Sequence, residues 1–187
     1  MIRKEPLRPG GRSARVQASV HQAVRALQAR HGRAGLTIPM IAAEAGVTPS
    51  TLYRRWGDLP ELLADVAVER LRPDTPPRDT GSLRGDLEHW AEQIADEYAS
   101  VPGRALIQDV LAANATPERA YQCCAFLREA LGLVILRAQA RGEPTPDVEM
   151  LIDGVMAPIL YRILFLGDRP DKARVKALVA RALQGLA

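Results

Sequence analysis

The chain has 187 residues, 47% of them hydrophobic and 25% charged, with a net charge of +3. That is long enough for one two-part domain or two small ones around a real hydrophobic core, and the mix excludes a disordered or fibrous chain. No run of about 18 apolar residues is present to span a membrane, and the basic start "MIRKEPLRPGGRSAR" lacks the apolar core of a secretory leader, so a cytoplasmic location is expected. Residues 1–72 hold 12 Lys or Arg against 6 Asp or Glu, whereas the rest hold 13 against 16. A basic head therefore precedes a mildly acidic body, the footprint of a polyanion-binding end, although charge alone speaks only to non-specific affinity. Cys123 and Cys124 are adjacent, cannot staple distant segments, and read as small packing residues.

Periodicity is helical nearly throughout, so an all-α fold of about nine helices is expected. Residues 13–32 place Val16, Val20, Val24 and Leu27 on one helix face. Thr37 caps a second helix running to about residue 45, with Pro39 tolerated in its first turn and Gly46 ending it. Thr48 and Pro49 open a third helix to about Trp56, and Asp58 with Glu61 opens a fourth to about Leu71. The prolines of "RPDTPPRDTGS", residues 72–82, forbid continuation and mark the boundary between head and body. The body reads as helices over residues 83–100, closed by "VPG", over 103–114, from Thr116 and Pro117 to about Ala140, and over 147–166, with a last helix carrying Val175, Leu178, Val179 and Leu183. Pro158 falls inside the fourth of these and predicts a kink.

Residues 37–56 are two short helices joined by a tight Gly46-Val47-Thr48 turn, a helix-turn-helix. Gly46 suits a positive φ, Ala42 and Ala43 are small enough for a close crossing, and Ile41, Val47 and Leu52 can seat the unit on the first helix. Leu52 and Trp56 are four apart and point inward, which turns Ser50, Thr51, Tyr53 and Arg54 outward, where a DNA major groove could receive them. Arg donates two bonds to guanine, hydroxyls serve bases or phosphates, and Tyr53 suits phosphate contact.

"LTIPMIAAEAGVTPSTLYRRWGDLPELL" resembles the DNA-binding domain of the TetR family of bacterial transcriptional regulators, over about residues 13–71, and "APILYRILF" resembles the dimer-forming region of one of its subgroups. The resemblance implies a helix-turn-helix domain with a basic arm at 1–72 and a ligand-binding and dimerisation domain at 73–187, with no enzymatic activity and no cofactor. It implies a homodimer on a palindromic double-stranded operator, released by a small-molecule effector, with Thr37, Thr48, Ser50, Thr51, Tyr53, Arg54 and Arg55 at the DNA-contacting positions. Leu59 departs from the pattern where many members carry a phosphate-binding Lys, and Pro39 where some carry a base reader. Arg3, Lys4, Arg8, Arg12 and Arg15 suit either a minor-groove arm or a disordered basic tail.

By the same analogy Trp90, Ile94, Tyr98, Tyr121, Phe126, Met156 and Tyr161 would line an effector cavity, although core packing would use the same residues. The helix at 147–166 is apolar on more than one side and needs more cover than the last helix supplies. A second subunit would meet it at Ile152, Met156, Ile159, Ile163, Val175, Leu178 and Val179. Two rivals remain: an all-α module binding an acidic protein, and a DNA-binding protein that answers to no ligand. For an enzyme the chain lacks a constellation: His21, His31 and His89 are scattered, no phosphate-cradling or zinc spacing occurs, and Asp86 with His89 reads as a solvated pair.

Overall fold

A computed structural model describes residues 11–113 and 117–184. Among these, all regular structure is helical. The head is built from α1 (Arg12–His31), α2 (Ile38–Ala45), α3 (Pro49–Trp56) and α4 (Leu59–Leu71). The body holds α5 (Leu83–Ala99), α6 (Val101–Ala112), α7 (Glu118–Ala140), α8 (Val148–Leu151), a π-helical turn (Ile152–Met156), α9 (Ala157–Phe165) and α10 (Lys172–Ala182). With the α8-to-α9 run counted as one interrupted helix, the described residues form nine helices.

The helix starts follow from local side chains that satisfy otherwise free first-turn amides. Thr37 accepts from the Met40 amide at 3.4 Å, Asp58 from the Glu61 amide at 2.9 Å, and Asp171 from the Arg174 amide at 2.7 Å. Thr116, expected to cap α7, lies outside the described residues. The "VPG" stretch, expected to close a helix, instead opens α6: Ser100 accepts from the Gly103 amide at 3.0 Å and Pro102 sits in the first turn, where no donor is missed. Gly103 is required for space, since a Cβ there would stand 2.0 Å from the Glu97 carbonyl oxygen at the end of α5.

Pro158 does disturb its helix, through a widened turn just upstream. The Ala157 amide donates to the Ile152 carbonyl five residues back, and the π turn accommodates the proline ring and the carbonyl it leaves without a donor.

Two apolar clusters organise the molecule. Val20, Val24 and Leu27 of α1 meet Ile41, Leu52 and Leu62 in the head. Leu87 and Trp90 of α5 and Leu131 and Val134 of α7 meet the α8-to-α10 region in the body. Helix α4 belongs to both: Leu62, Leu63 and Val66 face the head cluster, while Ala67, Val68 and Leu71 face the body cluster, and α6 packs along it. An element apolar all round is one buried all round, and each fully buried Leu or Val contributes about 1.5–3 kcal/mol.

The stripe expected to meet a second subunit is covered from within the chain. Met156, Ile159, Ile163, Val175 and Val179 are no more than 1% exposed, Leu178 is also buried, and Ile152 is half-buried against the same cluster. Helix α5 supplies the cover that α10 alone could not, because it packs on both α9 and α10. The residues outside the stripe, Met150, Tyr161, Phe165 and Leu166, are the exposed ones.

Residues 72–82 contain no helix and are fastened to the body by two arginines of the α7 end. Arg137 donates to the Pro77 carbonyl at 2.6 Å, and Arg141 bridges Asp79 at 3.2 Å and Asp86 at 3.1 Å. Asp86, expected to be solvated beside His89, is fully buried and accepts from the Thr80 amide and hydroxyl at 2.6 Å each. Burial raises its pKa, but Thr80 and Arg141 outweigh that and hold it below the ordinary value.

Candidate nucleic-acid interface and body cavity

The α2–α3 turn is set by Gly46, whose φ of +67° is left-handed and whose amide turns back on the Ala42 and Ala43 carbonyls. Ala42 is buried where the helices cross, whereas Ala43 is exposed and takes no part in the crossing. Leu52 and Trp56 seat α3 in the head cluster. Thr48, Ser50, Tyr53, Arg54 and Arg55 are left exposed and Thr51 half-buried, while Thr37 is exposed at the start of α2. Leu59 packs partly buried against the head cluster, and Pro39 is an exposed first-turn residue of α2.

Thr48, expected from sequence to cap α3, does not do so with its side chain. Its hydroxyl lies 3.0 Å from the hydroxyls of both Ser50 and Thr51, and the Thr51 amide donates instead to the Thr48 carbonyl at 3.0 Å. The three oxygens form one polar cluster at the helix start, the end that favours anions.

The two adjacent arginines differ. Arg54 makes no hydrogen bond or ion pair among the described residues and extends from the exposed face. Arg55 folds back on α1, donating to the Ser13 carbonyl at 3.1 Å, the Ser13 hydroxyl at 2.6 Å and the Gln17 side-chain oxygen at 2.6 Å, with its guanidinium 5.1 Å from the Trp56 ring centre. Three of its five N–H donors are engaged within the head, so Arg55 fastens α3 to α1. Between the first turn of α1 and α3 lies an open groove of about 790 Å³, with Arg12, Thr48 and Arg54 on its walls. Arg15 is exposed on the same first turn, and Arg3, Lys4 and Arg8 lie outside the described residues.

Behind α3 sits a polar centre that sequence reasoning missed. Asp65, buried in α4, accepts at one oxygen from Trp56 Nε1 and His21 Nε2, each at 2.9 Å, and from Gln17 Nε2 at 3.1 Å. Its other oxygen pairs with Arg119 of α7 at 2.5 Å. His21 also meets Glu69 through Nδ1. Burial alone would lower the His21 pKa, but Asp65 and Glu69 outweigh it and raise it above the ordinary imidazole value. Burial would raise that of Asp65, yet His21, Trp56 and Arg119 hold it below the carboxylate range. A second tie between head and body joins Arg33, after α1, to buried Asp109 of α6.

In the body, a cavity of about 200 Å³ opens between the end of α4 with the proline-rich linker after it, α5 and α7. Of the residues named for an effector site, Trp90, Ile94, Tyr98 and Phe126 line it. The other three expected residues do not: Met156 is buried in the core, Tyr121 is 67% exposed on α7, and Tyr161 is exposed and stacked on Phe165 with ring centres 5.5 Å apart. Helical spacing does not report which way a half-apolar ring turns, and these two tyrosines turn to solvent. The linker adds polar groups that sequence gave no reason to place here. Arg72 lies 6.0 Å from the Phe126 ring centre, and Asp74 and Glu97 share the rim, where partial burial and the Asp74 charge push the Glu97 carboxyl up. Cys124 is exposed, against expectation, while Cys123 is half-buried, and burial pushes its thiol up to about 11, so it stays protonated at neutral pH.

No helix among the described residues is long and apolar enough to cross a membrane, and none of their His, Cys, Asp and Glu side chains cluster as a metal site. Two family models match: "Bacterial regulatory proteins, tetR family" over residues 22–66 and "Tetracyclin repressor-like, C-terminal domain" over residues 77–182. The HTH-type transcriptional regulator AqdR of Rhodococcus erythropolis is 39% identical over 79 residues, 42% of this chain and 38% of its own length. The HTH-type transcriptional regulator Rv1556 of Mycobacterium tuberculosis is 30% identical over 183 residues, 95% of this chain and 90% of its own length. Among solved structures, the TetR family regulator SCO0332 superimposes with a TM-score of 0.68 at 28% identity, covering 92% of this chain and 98% of that one. The Thermus thermophilus TetR family repressor FadR, solved with lauroyl-CoA, shares the fold at a TM-score of 0.58 and 18% identity, covering 91% of this chain and 92% of that one. Matched in both its halves, and carrying an exposed helix-turn-helix on an all-helical frame, the chain belongs to the TetR family and is a DNA-binding transcriptional regulator.

Proposed function

We propose that the protein is a homodimeric repressor that holds a palindromic operator through two α3 helices and leaves it when a small organic effector enters the body cavity. The observation that carries this reading is the division of labour on α3: Leu52 and Trp56 anchor it, Arg55 fastens it, and Thr48, Ser50, Tyr53 and Arg54 remain exposed on one side beside the α1 groove. Arg54 is the base reader, since it has unspent donors, and Thr37, Thr48, Ser50, Thr51 and Tyr53 orient the helix by phosphate and hydroxyl contacts. Two such heads would reach successive major-groove faces about 34–36 Å apart or a multiple of that spacing.

The proposed dimer face is the outer side of the π turn and α9, where Asp153, Ala157, Tyr161 and Phe165 follow at steps of four and all are exposed. Stacked Tyr161 and Phe165, 57% and 75% exposed, are the large apolar groups a second copy would cover. The body cavity is smaller than the roughly 300–1,000 Å³ usual for organic ligands, so entry displaces the 72–77 linker that forms one wall. Its aromatic walls, with the Arg72, Asp74 and Glu97 groups at the rim, suit a small amphipathic molecule with a polar end.

Sequencing of duplexes selected from a random pool by the purified protein tests the reading. A two-fold-symmetric motif is expected; recovery of an asymmetric half-site alone removes the dimeric part, and recovery of no motif removes the regulator. Binding of a ligand without any change in operator affinity would exclude that ligand as the inducer.

A further inference from the structure

We propose that Asp65 and Arg119 form the latch through which the body holds the recognition helix in its DNA-competent position. This rests on the regulator reading above and assigns the residues that carry its coupling.

The argument starts from what one carboxylate joins. Asp65 is the meeting point of four helices: Gln17 and His21 from α1, Trp56 from the last turn of α3, its own α4, and Arg119 from the first turn of α7. Its side chain is 8% exposed and that of Arg119 27%, so the pair is shielded enough for its charge to count. Trp56 Nε1 donates to Asp65 from a buried position, where an indole donor left without a partner is costly. Moving Asp65 therefore moves Trp56, the inward anchor of α3. It also moves Gln17, whose oxygen holds Arg55 of α3 at 2.6 Å, so α3 is tied to Asp65 twice.

On the body side, Arg119 stands two turns of α7 before Phe126 and Leu127, which line the cavity. A ligand that shifts α7 by pressing on Phe126 shifts Arg119 with it, and a rigid helix transmits that displacement. The bond between Arg119 and Asp65 is then strained or released, and α3 loses the support that fixes its angle to α1. The other head-to-body pair, Arg33 with Asp109, bears on the α1–α2 loop and α6 and reaches neither α3 nor α7. Asp65 and Arg119 are thus positioning residues, acting on DNA through Trp56 and Arg55.

The test uses full-length protein and the duplex selected by the wild type. Asp65 is too deeply embedded for a clean variant, so Arg119→Gln, Arg119→Lys and Trp56→Phe carry it. Arg119→Gln should lose about five- to tenfold in operator affinity, the size of coupling that single network positions carry, with affinity for random duplex unchanged. Arg119→Lys should recover most of the loss. Arg119→Gln combined with Trp56→Phe should cost less than the product of the two single losses, since both act through one carboxylate. Operator affinity within twofold of wild type for Arg119→Gln, an equal loss on random duplex, no recovery by Lys, or losses that multiply would each overturn the latch. A wild type that selects no duplex overturns the regulator reading and the latch together, whereas those outcomes with a binding wild type overturn the latch alone.

Discussion

The head and the body solve the same packing problem by different means. The head closes around a charge: Asp65 collects donors from two neighbouring helices, α1 and α3, and a cation from a third, α7, so its helices are held at defined angles. The body closes around volume: its interior is an apolar layer from α5, α7, α9 and α10, with its buried carboxylates Asp86 and Asp109 paired to arginines at the edges, and it leaves a hollow beside the linker. Directional bonds fix an orientation, whereas apolar contacts fix only how much space is filled. A reading surface needs the first property and a ligand-responsive frame needs the second.

The contrast is broken most severely by Asp65→Ala. It strands His21, Gln17, the Trp56 indole and Arg119 together, and chemical denaturation should show a loss of about 3–5 kcal/mol, the usual cost of removing one partner of a buried pair. In the body the sharpest single change is Gly103→Ala, where the added methyl meets a backbone carbonyl and not a pliable side chain. The α5–α6 corner must open, at about 1–3 kcal/mol, read as a lowered thermal midpoint. Arg54→Ala should leave stability unchanged and relax base preference at one operator position by about 1–3 kcal/mol, whereas an equal loss on every sequence would show a phosphate contact. Gly46→Ala, in open space but at positive φ, should cost about 1–2 kcal/mol through backbone strain alone.

The smallest effect is one of pH, and its decline above the imidazole range should come from the head. Because the His21 pKa is raised, its contribution is complete below the ordinary imidazole value and is lost as pH rises through the higher folded value. Because the Asp65 pKa is lowered, its contribution is complete above the ordinary carboxylate value and is lost as pH falls through the lower folded value. Head stability should therefore be greatest from about pH 4 to about 6.5 and decline above that range. Denaturant midpoints measured across pH should lose the alkaline decline in His21→Gln; a midpoint that rises from pH 6 to 8 would contradict the sign.

Sequence made the helix-turn-helix legible because its signals are local. Gly46, the Asp58 cap and the Leu52 and Trp56 pair each act within four residues, and each stands where spacing put it. What lay beyond one helix did not show. Asp65 sits inside "LLADVAV" with partners 44 and 48 positions away, so nothing nearby marks it as bonded. Arg54 and Arg55 are neighbours of one kind, and only the place of Ser13 and Gln17 separates their roles. The stripe of Met156, Ile159 and Ile163 was read correctly as a burying face but assigned to a second copy, because periodicity gives a face and not its occupant. Ser100-Val101-Pro102-Gly103 carries the same cap-and-proline grammar as Thr37-Ile38-Pro39, and its glycine makes it look like an ending.

Helix α4 contributes side chains to both apolar clusters, and this limits how the protein can be recombined with its relatives. A graft made at the proline-rich connector would carry α4 away from the α6 surface it rests on, baring Ala67, Val68 and Leu71 and leaving Asp65 without its cation. The transferable module is the reading head together with the matching flank of α6 and the opening turn of α7, so exchanged heads should work only where those two surfaces travel with them.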